Sequence, residues 1–131
     1  MSTESTREVM MQYWEFDDLG KLDENAVFTV MGTGYEARGH EAIGQLLHSF
    51  YHGAFEAQAD LKDMLIAEDQ ACFEADLVGR QLTEFAGVAP TGKEVRVPFC
   101  VIYELADDKI TRARIYFETD ALRQESNPTE K

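Results

Sequence analysis

Cysteine, proline and tryptophan are scarce in this chain, with 2, 3 and 1 copies among 131 residues. Cys72 and Cys100 are too few for a disulfide framework, and each sits inside an apolar, strand-like segment. They read as reduced core thiols of an intracellular protein. A disulfide would need them to face one another on neighbouring strands, which sequence does not show. Positive charge is also short: 12 Lys and Arg stand against 25 Asp and Glu, for a net charge of −13. Such a surface repels phosphate backbones and anionic lipids, so neither nucleic acid nor membrane is an expected partner. The acidity itself reads as solubility. No apolar run approaches the roughly 20 residues needed to span a bilayer. The start, MSTESTREVMMQYW, lacks the basic and apolar stretches of a signal peptide. A cytoplasmic location is the expectation.

What is present is an ordinary hydrophobic fraction, 44%, and a length that fits one domain. That domain is placed at residues 1–124, with residues 125–131 as a polar tail expected to be disordered. A helix is predicted over residues 6–18, with Val9, Met10, Tyr13 and Trp14 as its apolar stripe and Gly20 ending it. A short strand follows over 26–31, then a flexible loop at Gly32-Thr33-Gly34, then a second helix over 40–53. Long strands are predicted over 59–67, 71–85, 93–105 and 109–118. The last two form a hairpin across Asp107-Asp108, and a short helix starts near Thr119 or Asp120.

The final third, VPFCVIYELADDKITRARIYFETDAL, sorts its faces sharply. Ala113, Ile115 and Phe117 alternate with Arg112, Arg114, Tyr116 and Glu118, so one face is uncharged. Helices followed by long antiparallel strands indicate an α+β fold: a strongly curved antiparallel sheet forming a cone, with helices packed on its concave face. The open end of a cone is a natural pocket for a small molecule.

Four landmarks carry a family resemblance. They are Arg38-Gly39-His40-Glu41-Ala42-Ile43, Pro90-Thr91-Gly92, Asp108-Lys109-Ile110 and Tyr116-Phe117-Glu118-Thr119-Asp120-Ala121-Leu122. In order and spacing they resemble the SnoaL-like, polyketide cyclase-like branch of the nuclear-transport-factor-2-like superfamily, whose fold is cystatin-like. The family usually places another helix before its first strand. Residues 17–23 are short for one, so that end of the cone is expected to be more open.

The resemblance does not bring its chemistry along. Epoxide hydrolases of this fold use an Asp–Arg–Asp set with a Tyr and an Asn holding water. By ungapped alignment those places fall on Ala75, Leu77, Ile115, Thr29 and Met31. Placing Arg80 at the bridge instead puts Leu82 where an acid is needed. The acid/base Asp of the related cyclases also falls on Ile115. Steroid-isomerase-like chemistry would find a hydroxyl donor in Tyr13 or Tyr35 but no base.

Glu74 and Asp76 alternate with Phe73, Ala75 and Leu77 and so lie on the opposite face, while Asp120 reads as a helix cap. His48 and His52 stand at i, i+4 but on the polar side of their helix, without an H-E-x-x-H pattern, and His40 reads as a first-turn polar residue. No metal and no cofactor is expected.

The expected ligand-binding lining is Tyr13, Trp14, Tyr35, Phe73, Leu77, Gln81, Phe99, Val101, Ile115 and Phe117, with Phe73 and Phe117 equally readable as filled core. The leading reading is a protein that binds a hydrophobic or aromatic small molecule. An acid–base enzyme (cyclase, isomerase or hydrolase) is the alternative, with Glu118 and Arg80 as its candidate catalytic residues. A homodimeric interaction module is the third.

Overall fold

The computed structural model describes residues 1–120. Its elements are α1 (Thr3–Phe16), a 3-10 turn (Leu19–Lys21), β1 (Leu22–Val30), β2 (Tyr35–Arg38) and α2 (Gly39–His48). A π-helical turn (Ser49–Gly53), β3 (Phe55–Ile66), β4 (Gln70–Gln81), β5 (Glu94–Ala106) and β6 (Lys109–Phe117) follow. The fold is α+β, as expected. The continuation of the closing helix and the tail at 125–131 lie outside the described residues.

Capping chemistry sets the limits of α1. Ser2 accepts from the Ser5 amide at 3.0 Å and Ser5 reciprocates, so the helix begins at Thr3, earlier than periodicity indicates. It stops at Phe16 because Asp17 takes the left-handed cap conformation, φ 52°, ahead of Gly20. The Asp18 carboxylate then accepts from the Gly20 amide at 2.9 Å. A single 3-10 turn thus stands where the family resemblance predicts a missing or shortened helix.

The strands form one curled six-stranded sheet in the order β2-β1-β6-β5-β4-β3. Pairing is antiparallel except between β1 and β6, which run parallel, Phe28 beside Ala113 and Val30 beside Ile115. The sheet is therefore mixed, which corrects the all-antiparallel expectation: β1 pairs with the last strand, not with its sequence neighbour across α2. β2 has no counterpart among the predicted elements, since only Ala37 of its residues is buried and no alternation marks it.

β5 and β6 keep the sorted faces. Val95, Val97, Phe99, Val101, Tyr103 and Leu105 point inward, with Ile110, Ala113 and Ile115 beside them. Asp107 and Asp108 both adopt positive φ, 52° and 62°, giving the twist that a two-residue hairpin demands.

The concave face receives Val9, Met10 and Tyr13 of α1 and Ile43 and Leu46 of α2, which join the strands in one core. Thr6, fully buried, donates its hydroxyl to the Glu68 carbonyl and fastens α1 over the β3–β4 turn. β4 ends at Gln81, short of the predicted boundary. There the Gln81 amide donates to the carbonyls of Thr83 at 2.9 Å and Val88 at 2.6 Å.

β3 and β4 approach so closely that a Cβ on Gly79 would sit 2.2 Å from the Glu56 carbonyl oxygen and 2.5 Å from Ala57 Cα. Only glycine fits there. On the outer face the sulfurs of Cys72 and Cys100 lie 3.2 Å apart as free thiols. They do face one another on neighbouring strands.

Candidate functional site

The concave face is not filled completely. Between α1, the π-helical turn and strands β3–β6 lies a cavity of about 400 Å³, in the size range of small-molecule sites. Tyr13 and Trp14 project from the last full turn of α1. Leu77, Phe99, Val101, Tyr103, Ile115 and Phe117 are inward residues of β4, β5 and β6. Two aromatic groups brace the wall. Tyr13 meets Tyr103 edge-on at 5.9 Å and Trp14 lies over Phe73 at 4.9 Å, while Phe117 contacts Phe50 at 5.0 Å and Phe99 at 5.2 Å.

Most of the expected lining comes together here: Tyr13, Trp14, Leu77, Phe99, Val101, Ile115 and Phe117. Others do not. Phe73 is wholly buried behind Trp14 and forms packing, not surface. Gln81 spends its amide on the loop beyond β4. Tyr35 is more than half exposed and borders a separate cleft beside α2. The catalytic candidates Arg80 and Glu118 are exposed and neither lines the cavity. Asp76 is buried, but on the outer face, where Arg96 holds it at 2.6 Å and Lys62 at 3.4 Å.

Sequence reasoning missed Asp17, Tyr51 and His52, all of which line the cavity. Phe50, Tyr51 and His52 all border the cavity from the π turn at Ser49–Gly53 that follows α2. No residue pattern announces such a turn. Asp17 arrives by its cap role, which places a carboxylate on the rim. His52 Nδ1 lies 2.8 Å from Glu56 Oε2. His40 is elsewhere, bonded to the Leu22 carbonyl at 2.8 Å. Among the described residues no group of three or more His, Cys, Asp or Glu is arranged to hold a metal.

Electrostatics distinguish the wall from the rim. Burial pushes the Tyr51 phenol up to about 12, and the nearby Asp17 charge acts in the same direction. Burial likewise holds the Tyr13 and Tyr103 phenols above the usual tyrosine range, and each alters the other's ionisation. All three hydroxyls are protonated at neutral pH; Tyr13 and Tyr103 share a hydrogen bond, and Asp17, His52 and Gln58 add further polar groups to a largely apolar lining. Among the described residues Asp17 is the one carboxylate on the lining. Leu77 and Ile115, the positions at which the resemblance would place acids, present hydrocarbon to the same space.

No helix among the described residues is long and apolar enough to cross a membrane. No curated protein matches the sequence. Solved structures share the fold at low identity. A protein assigned to the SnoaL-like polyketide cyclases from Jannaschia sp. CCS1 superposes with TM-score 0.78 at 18% identity, over 95% of this chain and 94% of that one. One assigned as a polyketide cyclase from Xanthomonas campestris pv. campestris gives 0.76 at 17%, over 95% and 98%. IdmH from Streptomyces antibioticus, also assigned as a polyketide cyclase, gives 0.67 at 20%, over 97% and 100%. The family model for SnoaL-like polyketide cyclases matches residues 6–125, and the chain belongs to that family.

Proposed function

We propose that the chain binds a hydrophobic or aromatic small molecule in the cavity under α1. The observation carrying this reading is the lining itself: mostly aromatic and aliphatic walls around about 400 Å³, with the Tyr13, Tyr51 and Tyr103 hydroxyls, Gln58, His52 and Asp17 as its polar groups. Desolvating a planar apolar ligand there contributes on the order of 25 cal/mol per Å² buried. The tyrosines fix orientation through a carbonyl or hydroxyl. The assignment of similar folds as polyketide cyclases supports an oxygenated aromatic ligand over a purely hydrocarbon one.

Trp14 provides the test, because it is the single tryptophan and it lines the cavity. Titration with 1,8-dihydroxyanthraquinone, a steroid and a terpene alcohol is expected to give saturable quenching with at least the planar aromatic. Indifference to the whole panel would overturn the reading.

A second copy of the chain is the partner that the outer sheet face favours. Leu65 and Tyr116 are exposed there beside Cys72, Cys100 and Ile102, an apolar band across neighbouring strands. Sedimentation is expected to show a dimer, and a monomer at high concentration would remove this reading.

A further inference from the structure

The rim of the cavity carries an exposed pair of polar side chains. His52 Nδ1 and Glu56 Oε2 are 2.8 Å apart, and both side chains are over 60% exposed. An exposed pair of this kind contributes next to nothing to stability. Yet His52 is part of the cavity lining, brought there by the π turn. An ionised Glu56 only accepts, so the Nδ1 of a neutral His52 must donate to it. The Nε2 lone pair is then the free basic site of the ring, and Nε2 has no partner among the described residues. Tyr51, next in the chain, places a phenolic donor on the same lining.

Resting on the binding reading above, we propose that His52, oriented by Glu56, is a proton-transfer residue for a carbonyl compound held in the cavity. The step is removal of an acidic hydrogen from the carbon next to the carbonyl. His52 Nε2 takes the proton, and the C–H electron pair forms the carbon–carbon double bond. The carbonyl π pair moves to oxygen, giving an enolate. A tyrosine hydroxyl of the wall donates a hydrogen bond to that oxygen, and the imidazolium returns a proton to the same or a conjugated carbon. Nothing is oxidised or reduced, and no co-reactant is required. His52 is the catalytic group; Glu56 is a positioning residue that fixes the tautomer. Asp17, on the same rim, repels negative charge on Tyr51 and so favours its hydroxyl form.

The experiment uses the whole chain and 2-tetralone, a bicyclic aromatic ketone with acidic α hydrogens. Binding is read by Trp14 quenching and hydrogen–deuterium exchange at the α carbon by NMR in deuterated buffer. The wild type is expected to accelerate exchange over buffer. His52→Ala is expected to lose about 100-fold or more of that acceleration while still binding the ketone, and added 4-methylimidazole is expected to restore part of it. Glu56→Gln is expected to slow exchange about 10-fold with unchanged quenching affinity. His48→Ala, whose ring lies 5.6 Å from that of His52 and does not line the cavity, serves as the retained-activity control. Quenching without accelerated exchange, or full exchange in His52→Ala, overturns the assignment and leaves the binding reading intact. Absence of quenching by 2-tetralone overturns the assignment, and indifference to the earlier panel as well overturns both.

Discussion

Replacing Gly79 with alanine probes how tightly the cavity wall is fixed. The added methyl would meet the Glu56 carbonyl oxygen at 2.2 Å, Ala57 Cα at 2.5 Å and Ala57 Cβ at 2.7 Å. Two of these three atoms are backbone, so no rotamer change relieves the contact. Ordinary separation requires β3 to retreat by more than about 1 Å. Retreat stretches the pairing of Glu56 with Arg80, Ala57 with Gly79 and Gln58 with Val78. Overpacking and weakened ladder bonds together cost about 2–4 kcal/mol. For a chain of this size the melting midpoint should fall by about 10 °C.

The control is Gly44→Ala in α2, where the new methyl meets only the flexible end of Leu19 at 3.4 Å. That change should leave the midpoint unaltered or raise it, since alanine is favoured over glycine in a helix by about 0.5–1 kcal/mol. Circular dichroism melts of both variants decide the matter. A Gly79→Ala midpoint within about 2 °C of wild type would refute the close-approach reasoning.

Ala59 lines the cavity from β3, so Ala59→Phe should fill it. Quenching of Trp14 by the anthraquinone should weaken at least about tenfold, a loss of 1.4 kcal/mol, and unchanged affinity would contradict the location of the site. Tyr51 titrates at about 12 in the folded chain against 10.0 for a free phenol. A raised folded value means its contribution, about 2–3 kcal/mol, is complete below pH 10 and lost as pH rises towards 12. Urea melts at pH 8 and above pH 11 should therefore show wild type losing more than Tyr51→Phe, and equal losses would contradict burial of that phenol. With sulfurs 3.2 Å apart, Cys72 and Cys100 should close an intramolecular disulfide in oxidised glutathione. Burial pushes the Cys100 thiol up to about 11, with Cys72 reinforcing the shift, so closure should quicken as pH rises. Two thiols still titratable after prolonged oxidation at pH 9 would argue against the pairing.

Where sequence succeeded, the signal was local and repeated. The alternation from Val95 to Leu105 fixed the inward set of β5, and through it several cavity residues. Where it failed, the cause was geometric. Tyr35 has the right chemistry but lies on an edge strand too short to alternate. Gln81 has the right side-chain parity, yet the end of β4 claims its amide. His52 is exposed beside His48, as its polar-side placement expects, yet it also borders the cavity, which helical spacing does not show. Asp17 falls inside the helix predicted over 6–18, because a capping residue leaves no periodic trace. The outer-face position of Asp76 followed correctly from parity, although its ion pair with Arg96 did not.

The parallel pairing of β1 with β6 has a consequence for how the chain acquires its structure. Leu22 finds its neighbour in Ile110, and Val30 finds its neighbour in Ile115. During synthesis β1 and β2 leave the ribosome long before β6, so Phe28 and Val30 wait with one edge unpaired. The β3–β4 and β5–β6 hairpins form locally; the first strands must be captured across nearly the whole chain. Non-local closure of this kind slows folding and prolongs exposure of a bare strand edge. The last strand therefore acts as the clasp of the sheet. Substitutions at Ile110 or Ile115 should delay folding in time, as well as weaken the finished fold.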